Sequence, residues 1–189
     1  MELKTLLNNL GACKSAVDWV GDRSLAQAWA ECNRADRMMW LVGTMCGKRG
    51  WPPRQKVVLA GCACAEYMLT HVPAGESRAA KAISTARAWV DGRATRREVT
   101  IAGDRAERAA FLLSYPASSA AYAAAYAAYA VREPACVAYA AFSPVGLVPR
   151  KNLADLVRKQ IPSAELPDLD SCDNICRREG GRSWSMKFR

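Results

Sequence analysis

The chain has 189 residues, enough for one domain with a sizeable core, and its 51% apolar and 24% charged residues indicate a globular rather than a disordered protein. The net charge of +9, from 27 basic and 18 acidic residues, favours anionic partners such as nucleic acid, nucleotides or an acidic protein face. A basic solvated surface explains the same charge without any partner.

Targeting and membrane signals are weak. The first residues, MELKTLLNNLGACK, lack a basic segment followed by an apolar run, so we expect no signal peptide. Ser114 and Pro116 interrupt the longest stretch of low charge, residues 109–131, and alanine is only weakly apolar, so we expect no membrane span. The eight cysteines are therefore expected to be reduced thiols of a cytoplasmic protein.

Helical periodicity runs along the first third of the chain, whereas strand signals are scarce. Gly11 is expected to break the first helical segment or to be a point of close contact, and a cap at Asp22 or Ser24 starts the next helix. A strongly apolar helix, RADRMMWLVGTMCG, stops by Gly47. The segment KRGWPP is predicted to be a loop, because two prolines cannot continue a helix but can begin the next one.

Three helices are predicted in the middle of the chain. The longest apolar one covers residues 52–72, and Ser77 is predicted to cap the helix after it. Thr95 and Glu98 have the spacing of a capping box, which starts a further helix that Pro116 closes.

The segment SSAAYAAAYAAYAV, residues 118–131, predicts a packed helix rather than a flexible linker. Alanine has the highest helix propensity, whereas flexible linkers are rich in glycine and serine. Tyr122, Tyr126 and Tyr129 share one face, and a stripe at this spacing favours core packing, with hydroxyls at the rim or on a buried partner. We expect Ser118 or Ser119 to cap this helix.

The predicted fold class is all-α, a compact bundle of about seven to nine helices with the Ala/Tyr-rich helix at its centre. A short helix, ACVAYAAF, ends before Pro144, and an amphipathic helix follows, with Leu153, Leu156, Val157 and Ile161 facing inward. Composition changes from Pro162 onward. We therefore predict a helical domain over residues 1–162 and a basic tail over 163–189 that docks on the domain or on a partner.

Catalytic and metal-binding signals are weak, so we expect no enzymatic activity, no metal and no cofactor. The single histidine, His71, is interpreted as a helix C-terminal cap rather than a base. Cys172 and Cys176 lie four residues apart and supply half of a zinc site, for which Cys32 and Cys46 are remote candidates. Buried or unreactive thiols are the favoured interpretation.

Candidate partner-binding residues form four groups. Asp36 and Arg37 interrupt an apolar surface, where they form a salt bridge with another helix or line a groove. The other groups are Trp51 and Arg54; Arg93, Arg96 and Arg97; and, in the tail, Arg177, Arg178, Arg182 and Trp184. Aromatic residues among basic ones can stack on bases or anchor a protein partner.

Several segments together resemble a family of immunity proteins from bacterial polymorphic-toxin loci, immunity-protein-5-like, which phages also carry. They are AWAECNRADRMMWLVG, RQKVVLAGCACAEYMLTHVPAGESRAAKAISTARAWVDGRAT, the Ala/Tyr-rich helix and NLADLVRKQIP. The match runs in the same order from about Cys13 to Pro162 and leaves out the tail. This chain has Ala35–Asp36–Arg37–Met38 where family members tend to have an acidic-aromatic pair.

The resemblance implies a small all-helical protein that neutralises another protein and carries over no catalytic residue. The target would be a bacterial toxin or, for a phage-borne copy, a host defence protein, as with an anti-CRISPR inhibitor. Immunity proteins against nucleases are usually acidic, so here we expect an acidic target or a largely apolar interface. The alternative hypothesis is a nucleic-acid or nucleotide binder that uses the basic residues.

Overall fold

A computed structural model of the chain describes residues 1–142 and 148–169. Within these residues all regular secondary structure is helical, which confirms the all-α prediction. The α-helices are α1 (Leu3–Asn9), α2 (Lys14–Val20), α3 (Leu25–Glu31), α4 (Ala35–Thr44), α5 (Arg54–Met68), α6 (Arg78–Val90), α7 (Arg96–Leu112), α8 (Ala117–Tyr129), α9 (Val137–Ala140) and α10 (Arg150–Gln160). Short 3₁₀ turns cover Leu69–His71, Pro134–Cys136 and Ser163–Glu165.

Ten α-helices in the described residues are close to the predicted seven to nine. The described residues divide into two packing units, Met1–Ala28 with 167–169, and Trp29–Leu166. The predicted division at residue 162 stays a prediction, because most of the segment 163–189 lies outside the described residues. None of the helices described has the length and apolar character needed to cross a bilayer.

The smaller unit contains two short helices that pack on each other. Gly11 separates α1 from α2 and has a φ of +74°, a conformation that glycine adopts without strain, so the predicted break is confirmed. The N-terminal amine donates a 2.7 Å hydrogen bond to the carbonyl of Leu169. Ser24 caps α3, because its hydroxyl accepts from the Gln27 amide while the Gln27 side chain accepts from the Ser24 amide.

The alanines of α8 are buried within the larger unit. This helix contacts α5, α6, α7 and α9. Its buried residues are Ala117, Ala120, Ala121, Ala123, Ala124, Ala125, Ala127 and Ala128. Because a methyl group projects so little, the backbones of neighbouring helices can approach α8 closely. The tyrosines of α8 are only half-buried, so they lie at the margin of this contact.

Side chains donate hydrogen bonds to backbone carbonyls near the helix ends of the larger unit. Arg158 on α10 donates to the carbonyls of Trp29 (2.9 Å) and Cys32 (2.8 Å), which lie at and beyond the end of α3. The Trp29 indole donates in return to the carbonyl of Ile161 at 3.0 Å. Leu153, Val157 and Ile161 are buried as predicted, whereas Leu156 is only half-buried. Side-chain packing and helix capping together hold α10 in place.

The capping predictions have mixed outcomes. The Thr95–Glu98 capping box is confirmed, with the Thr95 hydroxyl accepting from the Glu98 amide and the Glu98 carboxylate accepting from the Thr95 amide. The predicted serine cap of α8 is wrong, because Pro116 occupies the N-cap and both serines lie within the first turn. Ser77 occupies the N-cap of α6, but Glu76 accepts the Arg78 amide instead.

A methyl group at Gly43 tests how closely α4 packs on the turn at Pro134. A Cβ built there would lie 2.5 Å from the carbonyl oxygen of Pro134, which is backbone and cannot rotate away. Overpacking exceeds the gain in helix propensity, so Gly43→Ala should lower the free energy of unfolding by about 2 kcal/mol. Urea denaturation measures this change.

Gly75→Ala is the matched control, because a Cβ there has no atom within 4 Å and the backbone is not left-handed. It should change the free energy of unfolding by less than about 0.5 kcal/mol. Equal stability of the two variants would contradict the close contact.

Candidate functional site

Trp51 and Arg54 both make contacts within the fold. Trp51 is only 9% exposed, so its ring packs within the protein. Arg54 is half-buried and donates a 3.1 Å hydrogen bond to the carbonyl of Val131. Both residues therefore have structural contacts that account for their presence, and neither offers a large free surface to a partner.

Asp36 forms an ion pair with a neighbour in sequence. Arg34 donates from Nε to Asp36 Oδ1 at 2.9 Å and from Nη2 to Asp36 Oδ2 at 2.7 Å, a bidentate arrangement. The pair lines a small cleft together with Phe142 and Arg150, and Arg37 is half-buried beside it on α4. Asp36 therefore pairs with Arg34, which precedes the same helix, and beside this small cleft its part in partner binding stays a prediction.

The described cysteines are free thiols, and the two on α5 are fully buried. Burial raises the pKa of Cys62 and the pKa of Cys64 to about 12. Burial also raises the pKa of Cys32 and of Cys46, although the Arg54 guanidinium opposes the shift at Cys46. At neutral pH these four groups are thiols rather than thiolates, which makes them poor nucleophiles and poor metal ligands.

Two further sequence predictions concern His71 and a metal site. His71 is the last residue of the 3₁₀ turn after α5 and is half-buried. Among the residues described, no group of three or more histidine, cysteine or acidic side chains is placed to hold a metal ion. Cys172 and Cys176 lie outside the described residues.

Arg93, Arg96 and Arg97 lie around two neighbouring surface depressions of about 450 and 490 Å³. The depressions share Ile101, whose side chain is 41% exposed. We call this surface the basic face and define it by Lys81, Arg93, Arg96, Arg97, Ile101, Arg105 and Arg132. The three predicted arginines are therefore brought together with three further cations and one apolar side chain.

Few carboxylates neutralise the basic face. Arg93 pairs with Asp91 at 2.5 Å, and Glu98 accepts the Thr95 hydrogen bonds of the capping box. Within the described part of the chain, Arg96, Arg97 and Arg132 form no ion pair. The basic face therefore carries a net positive charge that an anionic ligand could neutralise.

A second surface is aromatic and lies along α7, α8 and α9. We call it the aromatic surface and define it by the rings of Phe111, Tyr122, Tyr126 and Tyr139. Phe111 meets Tyr122 edge-on at 5.7 Å between centroids, and Tyr126 stacks on Tyr139 at 4.8 Å. Because Tyr122 and Tyr126 are one turn apart on α8, the two pairs form a continuous row.

The aromatic surface is unusually open to solvent. Phe111 is 73% exposed and Tyr139 is 59% exposed. Leu112 and Tyr115, which follow Phe111 closely in sequence, are 76% and 58% exposed. Isolated apolar side chains at a surface are normal, whereas a group of neighbouring ones of this size is less common.

One end of the aromatic row carries two carboxylates. The Tyr129 hydroxyl lies 2.9 Å from Asp104 Oδ1 and 2.9 Å from Glu107 Oε2, and its ring meets Tyr126 edge-on at 6.0 Å. The absence of a side chain at Gly103 permits this approach, since a Cβ there would lie 2.8 Å from the Tyr129 ring. Partial burial, followed by the hydrogen bonds and charge of both carboxylates, raises the pKa of Tyr129 far above its usual range.

Sequence analysis missed the aromatic surface. Helical spacing predicted that the tyrosines of α8 would pack in the core, and they are half-buried. Phe111 and Leu112 are adjacent and exposed at the end of α7, whereas Val57 and Val58 of α5 are adjacent and both buried. Adjacency of apolar residues therefore does not separate exposed from buried positions, and the sequence carried no clear signal of this surface.

Arg177, Arg178, Arg182 and Trp184 lie outside the described residues. Comparisons of the chain with protein-family models, with characterised proteins and with solved structures give no match. The resemblance to immunity proteins therefore remains a prediction from the sequence.

The hydrogen bonds of Tyr129 should make stability depend on alkaline pH. In the unfolded chain this phenol ionises near pH 10, whereas in the folded protein it keeps its proton to higher pH. Its contribution is therefore complete below about pH 10 and is lost as pH rises further. Stability should fall above that pH by at most about 1 kcal/mol per pH unit, because solvent screens a partly exposed group.

Tyr129→Phe should reduce the dependence of stability on pH. It should also remove, from the titration of tyrosinate absorbance, the phenol that ionises at the highest pH. Urea denaturation at several pH values on either side of the phenol transition measures the slope. Asp104→Asn with Glu107→Gln keeps the phenol but removes both charges, so it should reduce the slope without abolishing it. An unchanged slope in Tyr129→Phe would contradict the assignment.

Proposed function

We propose that the chain is a non-enzymatic protein-binding protein that neutralises its partner. The observation that carries this proposal is the exposure of the aromatic surface, where Phe111 and Tyr139 hold more than half of their area open to water. Aromatic side chains are enriched at protein–protein interfaces, where they supply large contact areas at low conformational cost. A partner that covers these rings would gain free energy from burying them.

The charge beside the rings favours a protein over a nucleic acid at this surface. Asp104 and Glu107 lie at the end of the aromatic row, next to Tyr129. Carboxylates repel the phosphates that would accompany any base stacked on these rings. The aromatic surface therefore suits a protein partner that presents apolar and basic groups there, which differs from the acidic target that the net charge alone favours.

Three further observations support the proposal. The high pKa values of the buried Cys62 and Cys64 thiols argue against cysteine nucleophiles on α5. The free described thiols are consistent with the reducing environment of a cytoplasm. Contacts of α8 with four other helices support its place as the central helix, which would hold the tyrosines in a rigid row.

The resemblance to immunity proteins suggests the class of partner. A toxin from a polymorphic-toxin locus or a component of a bacterial defence system would be bound and inhibited by contact alone. In such a complex the aromatic surface would supply the main energy of binding, because few residues dominate most interfaces.

Capture of the partner tests the proposal. The full chain should retain one stoichiometric protein from host lysate, and nuclease treatment should not release it. Phe111→Ala with Tyr139→Ala should weaken this complex about thirtyfold or more, as expected for the loss of interface hot spots. Titration calorimetry with the purified partner measures the change, and an activity assay of the partner measures inhibition.

Tyr67→Ala is the matched control for these variants. Tyr67 is also an exposed tyrosine, but it lies on α5, and its hydroxyl accepts a hydrogen bond from the Asn152 side chain of α10. The control should bind like the unchanged chain. If the Phe111 and Tyr139 variant binds with full affinity, the aromatic surface is not the interface.

The basic face supports a second candidate function, binding of nucleic acid or nucleotides. The observation that favours it is the group Arg96, Arg97 and Arg132, which has no carboxylate partner among the described residues. Guanidinium groups bind phosphates through bidentate hydrogen bonds. The exposed Ile101 between them would contact a sugar or base edge.

Salt dependence separates this candidate from the first. Labelled DNA and RNA oligonucleotides should bind with an affinity that falls steeply with salt, with a log–log slope of about −3. Arg97→Glu with Arg132→Glu should weaken binding at least tenfold and flatten the slope by about two. Fluorescence anisotropy measures both quantities.

Lys151→Glu with Lys159→Glu gives the same change of net charge on α10, which packs on α4 and α5. It should reduce oligonucleotide affinity only slightly, through the net charge. Equal losses in the two charge variants would show that binding depends on net charge rather than on the basic face.

A further inference from the structure

The aromatic surface and the carboxylates beside it form one connected cluster. Asp104 and Glu107 meet the Tyr129 hydroxyl, the Tyr129 ring meets Tyr126, and Tyr126 stacks on Tyr139. We call these five residues the acidic–aromatic cluster. It draws on α7, α8 and α9, so side chains distant in sequence converge on one place.

The cluster has more hydrogen-bond acceptors than donors. A phenol has one proton to donate, whereas each of the two carboxylates offers several lone pairs. Neither Asp104 nor Glu107 forms an ion pair within the described residues. A cationic donor that approaches the cluster would therefore find carboxylate oxygens that the protein itself leaves available.

The local charge is negative although the chain as a whole is basic. Partial burial, followed by the Glu107 carboxylate, raises the pKa of Tyr126. The faces of aromatic rings carry partial negative charge as well. The cluster thus differs from the basic face in sign and attracts cations.

Tyr139 provides the accessible ring of the cluster. It is 59% exposed and tilted by 31° from Tyr126, so solvent reaches much of its surface. Phe111 and Tyr122 continue the row and would contact apolar groups that flank a bound cation. This combination of ring, carboxylate and apolar extension fits a side chain of a protein better than a free metal or ammonium ion.

We propose that the acidic–aromatic cluster binds an arginine side chain of the partner protein, with the guanidinium drawn to the Glu107 and Asp104 carboxylates and to the rings of the aromatic row. This inference rests on the proposed function and specifies the chemistry of the partner at that surface. Arginine fits better than lysine, because its planar guanidinium stacks on a ring while donating several hydrogen bonds to carboxylates.

Peptide binding to the full chain tests the inference without knowledge of the partner. The probes are a blocked alanine-based helical peptide with arginine at every fourth position and a matched peptide with lysine. Nuclear magnetic resonance of the tyrosine rings reports which rings the peptide contacts and yields the affinity. The arginine peptide should shift Tyr139 and Tyr126 and bind about fivefold more tightly than the lysine peptide.

Glu107→Gln with Asp104→Asn should weaken the arginine peptide about fivefold and remove most of its advantage over the lysine peptide. Tyr139→Ala should weaken it several-fold, and Tyr67→Ala should leave it unchanged. A cooperative thermal unfolding transition in each variant shows that it folds. Equal binding of the two peptides, or equal binding to the unchanged chain and the carboxylate variant, would overturn the inference.

The two proposals can fail separately. If Phe111→Ala with Tyr139→Ala abolishes partner capture but the arginine peptide shows no preference, the protein-binding function stands and the arginine inference is wrong. If the arginine peptide binds as expected but capture is unaffected, the cluster recognises arginine and the proposed interface is wrong.

Discussion

The close approach of neighbouring helices to α8 is the constraint on which the larger unit depends. Ala120, Ala121, Ala124 and Ala125 are fully buried, and each adds only a methyl group between two helix backbones. Contacts between helices separated only by methyl groups gain dispersion energy along the whole helix, but they leave little room for a larger side chain. The glycine at position 43 extends the same principle to the contact between α4 and the turn at Pro134.

This packing also explains why the rings lie at the surface. Four helices contact α8, so its larger side chains remain only along the margin that those helices leave open. Tyr122, Tyr126 and Tyr129 are half-buried there, where they meet Phe111 of α7 and Tyr139 of α9. The aromatic surface is thus a consequence of an alanine-rich interior, and the rigid helix behind it holds the rings in a fixed order.

Helix α7 contributes to two surfaces of opposite charge. Arg97 and Arg105 belong to the basic face, whereas Asp104 and Glu107 accept hydrogen bonds from Tyr129 of α8. Successive residues of a helix point in different directions, so adjacent residues such as Asp104 and Arg105 can serve different surfaces. A protein partner and a polyanion would therefore bind at separate places, which is why variants on each surface distinguish the two functions.

The sequence by itself determined the features that depend on local chemistry. Glycine at position 11 predicts a helix break, Thr95 and Glu98 predict a capping box, and the spacing of Leu153 and Val157 predicts a buried stripe. Only the tertiary structure decided that Trp51 is covered, that Phe111 is exposed, and that Tyr129 lies between two carboxylates. Periodicity shows which residues share a helix face, but exposure and hydrogen bonding depend on which other helix covers that face.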